Sequence, residues 1–463
     1  MYRVVYLRVR LPVVFLLLAA CSTAGRRGDT VILASGADLQ SPNPLLTVHP
    51  LAKQIQRYAL LVTLIRYDST LRPIPYLARS WSWSADRTDL TFHLFRGLRW
   101  HDGEQTTAAD VAWTLNAARA PETGYPRAAD LGSIADVSAP DDSTLLIRFA
   151  AAQADLPDVL AELAILPRHA FQGSALSELR SATWNHEPFG NGPFRFVSHQ
   201  PNRKWTFQAN PDFPAELGGP PRLARFVIAV VDEPTTKLAA LTSEELDFAG
   251  INPAHAQFVK RDPRLTVIDY PLLFSYVIVF NTRRAPFDRQ EARRAVSAAI
   301  DRRAIVDGVL FGYGTPSATV LPSDRPTVSL DFELLTVGSG EAALEQLIQA
   351  QLARTGIRMR IRQLELSTFL DRVQGPSHDF DAAVMGISGD LALGYLHQVI
   401  ATSGLRSVAS GARLDAVIRD SVPATFLYDA RGVQGMNRRV QGVRMDLRGE
   451  LVTLHDWTVA HGR

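Results

Sequence analysis

FHLFRGLRWHDGEQTTAADV, residues 92–111, sets a strand, a tight turn and a helix start in one line. Residues 90–94 (LTFHL) alternate apolar and polar, the two-residue period of a half-buried strand. Asp102-Gly103 then marks a tight turn, where glycine supplies a conformation that side chains resist. Thr107 stands three residues ahead of Asp110, at the mouth of the run Val111-Ala112-Trp113-Thr114-Leu115. That spacing predicts a capping box: the Thr107 hydroxyl accepts from the Asp110 amide, and the Asp110 carboxylate sits at the positive end of the helix dipole.

The same mixture continues on both sides. Residues 31–34 read as a strand and Ser41-Pro42-Asn43-Pro44 as a turn, while the apolar run 58–67 fits either a buried helix or a strand. Residues 136–149 read as a hairpin, and a second hairpin (194–197, 205–208) follows Gly190-Asn191-Gly192-Pro193. Residues 226–231 and 276–280 (YVIVF) read as buried strands, and 235–241 as a helix. Asp288 to Glu291 forms a second capping-box pattern opening an Ala-rich helix to Ile300, and Asp301 caps the helix after it, which ends at Gly308 or Gly312. An amphipathic helix over 341–354 stops at Gly356, and strands follow at 357–361 and 380–387. Strands and helices interleaved in this way give an α/β class with several sheets.

With 463 residues the chain divides into two to four domains. Its 46% hydrophobic and 21% charged residues are ordinary for a globular protein, and a net charge of +2 points to no nucleic-acid partner. The single cysteine, Cys21, excludes an intrachain disulfide and a Cys-based metal cluster. Arg3, Arg8 and Arg10 precede an apolar run from Leu11 to Leu18, which is too short to cross a bilayer and reads as a signal peptide over residues 1–20. Leu18-Ala19-Ala20-Cys21 is similar to the lipobox of bacterial lipoproteins, in which the cysteine is lipidated; the alternative is an ordinary signal peptide with a chance cysteine. Residues 21–30 are a small, polar tether, and no later segment is long and apolar enough for a transmembrane helix. The mature chain is therefore expected outside the cytoplasm, anchored to a membrane through Cys21.

Several segments, in order, resemble the family 5 extracellular solute-binding proteins, the oligopeptide, dipeptide and nickel receptors of ABC importers. Pro75-Tyr76-Leu77-Ala78-Arg79-Ser80-Trp81 resembles a P-x-L-A-x-S-W segment, and residues 92–111 resemble F-x-L-R-x-G followed by W-H-D-G and T-A-x-D-V. Gly190-Asn191-Gly192-Pro193-Phe194 is similar to G-T-G-P-Y/F, with Asn for the usual Thr. Phe280-Asn281 through Ala299-Ile300-Asp301-Arg302 resembles the F-N to A-I-D-R pattern.

The resemblance implies a periplasmic binding protein-like fold of the cluster C type, with two hinged lobes and an extra domain on the first. Lobe I would comprise 29–61, 183–275 and 423–463, the extra domain 62–182, and lobe II 276–422. It also implies a monomeric receptor, not an enzyme and without cofactor, that captures a small peptide or peptide-like solute and delivers it to ABC permease subunits. Asp390 maps to the family's ammonium-binding carboxylate, on a loop flanked by Gly386 and Gly389. Asp390 reads equally as a helix cap ahead of Leu391. Ile387 stands where the family has Trp, and Asp390-Leu391-Ala392-Leu393 replaces its D-Y-x-D-P, which leaves the ligand class open. Lobe II is also short of helices before Leu334 and before Pro423, which would either widen the pocket or weaken the lobe.

A receptor for nickel or a metal chelate is the alternative, although the eleven histidines are scattered. A secreted hydrolase is the second alternative. No G-x-S-x-G, H-E-x-x-H or P-loop pattern supports it, and the neighbours His101 and Asp102 lie in a turn context that favours a structural role.

Overall fold

The computed structural model describes residues 28–47, 49–317, 329–338, 342–375, 377–388, 399, 402–403 and 420–460. It begins with β1 (Thr30–Ser35), in which every second side chain is buried, and α1 (Pro50–Ile55), which runs into a π-helical turn over Gln56–Leu60. The ambiguous run 58–67 thus splits: its first part is helical, and a short strand, Ile65–Tyr67, ends it. Four strands then form a separate antiparallel sheet. They are β2 (Ala78–Trp83), β3 (Asp89–Leu94), and, after α2 (Ala108–Arg119), β4 (Ile134–Asp141) and β5 (Thr144–Phe149), in the order β2-β3-β5-β4. The alternation read at 90–94 is real, since Leu90, Phe92 and Leu94 are all buried.

The expected hairpin is β6 (Phe194–Gln200) with β7 (Lys204–Ala209). β8 (Arg225–Val230) pairs antiparallel with β7 and parallel with β1, and β9 (Phe248–Gly250) closes on the other edge of β1. Beyond it lies β10 (Leu265–Phe280), at 16 residues far longer than the core strand read at 276–280. Its first half mixes Asp269, Tyr270 and Pro271, which masks the strand pattern. α3 (Gln290–Ala299) and α4 (Arg302–Gly308) follow, then β11 (Gly314–Pro316), β12 (Leu330–Val337), α5 (Ala343–Ala353), β13 (Ile357–Leu364), β14 (Ala382–Ser388) and β15 (Ala424–Asn437).

An 11-stranded sheet runs β13-β12-β14-β10-β15-β9-β1-β8-β7-β6, with β11 also on β15. β10 and β15 are antiparallel, and together they carry the sheet from one packed body into the other. At one end, Tyr270 belongs to the core of β1, α1 and the small sheet, while Leu265 and Val433 join a cluster on Leu241 and Val259. At the other end, Ile278 and Phe280 face Phe287, Phe332 and Ile348, while Val277 and Val279 face Phe369, Phe380 and Met385. This explains the unbroken YVIVF run: both faces of that strand are covered, so every position is apolar. Each such side chain contributes about 1.5–3 kcal/mol of burial.

The capping box read at Thr107 and Asp110 opens α2, whereas the start of α3 departs from its pattern. At α2 it is the Asp110 carboxylate that takes the Thr107 amide (2.8 Å), while the Thr107 hydroxyl donates to the same oxygen (3.3 Å). At α3 the N-cap is Arg289 without a side-chain bond, so Asp288 caps nothing there. Asp301 caps α4 as expected, accepting from Ala304 N at 3.0 Å, and the helix ends at Gly308.

Candidate ligand-binding site

β10 and β15 do not pair along their whole length. Leu265–Pro271 lies opposite Arg431–Asn437, and pairing resumes only at Ser275 opposite Asp429. Pro271 has no amide hydrogen to give to the ladder, so the interruption falls where the chain cannot donate. The released residues Leu272, Leu273 and Phe274 line a cavity of about 290 Å³. Its other walls are α1 with the turn after it (Lys53, Gln54, Arg57, Tyr58), residues Arg66, Tyr67 and Glu162, and the loop 446–450.

Charge is concentrated on these walls. The Arg66 guanidinium lies 3.6 Å from the centre of the Tyr76 ring and donates to the Tyr76 hydroxyl (2.8 Å) and to Arg57 O (3.3 Å). Burial works to raise the Glu162 pKa, but Arg57, Arg127 and Lys53 outweigh it, and the carboxyl is held below its ordinary value. Arg57 is 3.9 Å from Glu162, and Arg127 is closer. Arg448 pairs with Asp446 (2.6 Å) and donates to Tyr67 O (3.1 Å), while its own carbonyl accepts from Gln54 (3.1 Å) and Tyr58 (3.2 Å). Glu450 differs from these. The Tyr270 hydroxyl donates to it at 2.7 Å, and burial raises its pKa with only that bond opposing.

Two glycines shape the aromatic part of the site. A Cβ on Gly432 would lie 2.2 Å from the Tyr270 ring, and one on Gly386 would lie 2.3 Å from the Phe274 ring. The outer end of each ring therefore occupies the space that a side chain on the facing glycine would take. The Phe274 ring is both the cover of Gly386 and a wall of the cavity, and it meets Tyr276 (5.4 Å), which stacks on Tyr428 (4.9 Å). Gly386 thus sits one ring away from the cavity. Gly389, Asp390 and Cys21, the other site residues read from the sequence, lie outside the described residues. The sequence reading missed Arg57, Arg66, Tyr270, Arg448 and Glu450. Of these only Tyr270 had a signal, as an aromatic facing the strand glycine Gly432.

The motif residues serve elsewhere. His101 Nδ1 accepts from Gly190 N (3.0 Å) and its Nε2 donates to Gly192 O (3.0 Å), so the ring is neutral, and burial pushes its pKa down to about 4. Asp102 pairs with His169 (2.8 Å) and not with its neighbour His101. Buried Asp110 also accepts from Arg168 N (3.0 Å) and the Trp100 indole (3.5 Å). Asn191 accepts from Val62 N (3.1 Å) and donates to Thr106 (3.2 Å), contacts that give the Asn at this position a bridging role. Arg293 and Arg302 donate to backbone carbonyls, Arg293 to Ser421 O (2.6 Å) and Phe287 O (2.7 Å), and Arg302 to Phe426 O (2.7 Å). Among the described residues no group of three His, Cys, Asp or Glu side chains is placed to hold a metal ion.

Residues 72–334 match the model of the bacterial extracellular solute-binding proteins, family 5. A Brucella ovis protein named as an ABC transporter peptide-binding protein is 31% identical over 264 residues, 57% of this chain and 49% of that one. The aligned part thus spans about half the length of that relative. The di/tripeptide-binding protein 2 of Pseudomonas aeruginosa is 26% identical over 414 residues, 78% of this chain and 74% of that one. The fold is that of the oligopeptide-binding protein AppA of Bacillus subtilis, solved with a nonapeptide: TM-score 0.74, 20% identity, covering 94% of this chain and 99% of that one.

Proposed function

The chain belongs to the bacterial extracellular solute-binding proteins of family 5, and from that membership we propose that it is the receptor of an ABC importer, capturing peptides or peptide-like solutes between two lobes and passing them to the permease. The observation that carries this reading is the interrupted pairing of β10 and β15, the strands that link the two packed bodies, which frees residues 272–274 to line a charged cavity on the first-lobe side of that crossing. Two crossing segments of this kind form a natural hinge, and closing the bodies on a ligand replaces solvent contacts by protein ones. Relatives named for peptide binding support the choice of solute.

On the same reading the first lobe comprises 29–61, 183–275 and 423–463, the extra domain 62–182 and the second lobe 276–422. Asp390, with Gly386 and Gly389 beside it, contacts the ligand from the second lobe, and lipidated Cys21 tethers the receptor to the membrane outside the cytoplasm. The site works by gripping and releasing, with no bond made or broken.

Thermal unfolding of the purified chain with dipeptides, tripeptides, metal chelates and sugars tests the reading, because a ligand that binds only the folded state raises Tm. A rise with peptides is expected. A rise with metal chelates alone would replace peptide by metal in the assignment, and turnover of a peptide or ester substrate would overturn the binding-only function.

A further inference from the structure

We propose that Tyr313 is a latch between the two lobes that holds the receptor open and so sets its affinity for solute. The inference rests on the receptor reading above and adds a control on how that site closes.

The two faces of the crossing strands carry different neighbours. Along β10, Ile268 and Tyr270 pack into the large core of the first body, and the Tyr270 hydroxyl reaches Glu450 on the cavity wall at 2.7 Å. Leu265 and Val267 face the other way, with Val433 of β15, onto the small cluster of Leu241, Ile251, Ala256 and Val259. Successive side chains of a strand point to opposite faces, so this cluster lies across the sheet from the cavity. Tyr313 packs against it.

Tyr313 itself belongs to the other body. It follows α4 and directly precedes β11, which pairs with Tyr428, Asp429 and Ala430 where β15 crosses. On the same turn, Leu310 packs on the second body's core of Ile278, Phe287 and Val306. The chain therefore passes from one core to the other between residues 310 and 313. Its path is fixed: Tyr313 N donates to Leu310 O (2.8 Å), Gly312 N donates to Val306 O (2.9 Å), and a Cβ on Gly314 would lie 2.7 Å from Leu310. Phe311 and Gly312 both take left-handed backbone angles, φ 52° and 83°. For Phe that conformation is unfavourable, and it persists because the surrounding contacts over-determine it. The Tyr313 ring then meets Lys260, whose ammonium lies 5.5 Å from its centre, on the short helix Ala256–Arg261 of the first body. An ammonium against an aromatic face adds attraction to the apolar contact.

A hinge that closes over one face of a ribbon opens the other. When the lobes close on a solute in the cavity, Tyr313 is drawn off its cluster and away from Lys260, and that loss opposes closing. A receptor whose binding-competent state is rarer binds with proportionally lower affinity. Tyr313 is not a wall of the cavity, so the latch acts on every solute alike.

The variants Tyr313→Ala, Tyr313→Phe and Lys260→Gln test this. Calorimetric titration with peptides of two to five residues reads affinity, small-angle scattering reads the shape of the ligand-free chain, and circular dichroism reads folding. Tyr313→Ala is expected to raise affinity by about three- to tenfold, by one factor for all peptides, and to shrink the ligand-free radius of gyration. Lys260→Gln, at an exposed position, is expected to raise affinity by about twofold. Tyr313→Phe keeps the ring and is expected to match the wild type. Unchanged or lower affinity in Tyr313→Ala, or a factor that differs from peptide to peptide, would overturn the latch and leave the receptor reading intact. If Tyr313→Ala does not fold, Lys260→Gln carries the test, and unchanged affinity in it overturns the latch. A wild type that binds no peptide would overturn the receptor reading. Scattering then decides the latch alone, and an equal ligand-free radius in the wild type and the variants overturns it.

Discussion

His101 is held by bonds at both ring nitrogens, and its geometry explains two motifs at once. The ring accepts from Gly190 and donates to Gly192, which lets a turn of the extra sheet grip the 190–193 loop. Gly190 and Gly192 are glycine because Leu60 O and Ala59 O would lie 1.7 and 2.3 Å from any Cβ there. Gly190→Ala should therefore destabilise by about 2–4 kcal/mol in urea unfolding, whereas Gly308→Ala, with nothing within 4 Å, should be neutral or mildly stabilising. The same histidine predicts a pH dependence. Its folded pKa, about 4, lies below the ordinary 6.5, so the unfolded chain binds more protons between those values. The contribution of His101 is complete above about pH 6.5 and is lost as pH falls toward about 4, for a total of about 3 kcal/mol. Urea midpoints measured across that window should fall with acid in the wild type, and His101→Gln should lack most of that slope.

Among the elements, β10 decides the most. Its 276–280 half was legible because both faces are buried, and its 265–275 half was hidden because a strand that lines a cavity carries Asp, Tyr and Pro in place of an apolar pattern. The glycines of the flanking strands can be tested directly. Gly386→Ala places a methyl within the Phe274 ring and forces that ring toward the cavity, so peptide affinity should drop at least tenfold while the fold survives; unchanged affinity would show that this wall does not touch ligand. α3 carries a different device. Buried Arg293 ties Phe287 O and Ser421 O, at the point where the chain returns to β15. Arg293→Met leaves those carbonyls without donors and should cost about 2–4 kcal/mol, seen as a lower Tm. If Tm stays unchanged, the carbonyls have found other donors.

At the scale of the molecule, the two bodies share a sheet only through β10 and β15 and their neighbours, which concentrates any relative motion at residues 271–275 and 429–431. Small-angle scattering should record a smaller radius of gyration with saturating peptide than without, as closure expels solvent from between the lobes. An identical radius in both states would argue for a rigid receptor. The proposed lipidation of Cys21 predicts that Cys21→Ser releases the protein from membranes into the soluble extracytoplasmic fraction. Retention of that variant on membranes would overturn the proposed anchor.

Family membership, the α/β class, most short strands and the α4 cap were readable from the sequence because each depends on local signals: alternation, capping residues, Asp-Gly turns and an ordered set of motifs. The motif residues themselves proved to be staples, as His101, Asp110, Arg293 and Arg302 illustrate, and nothing local distinguishes a staple from a ligand contact. Only the tertiary structure assembled the cavity, because its walls come from residues about 400 positions apart, with Lys53 and Arg57 facing Arg448 and Glu450. Whether a charge is neutralised depends on what the fold sets against it, and that separates Glu450, met by a tyrosine, from Asp446, met by an arginine.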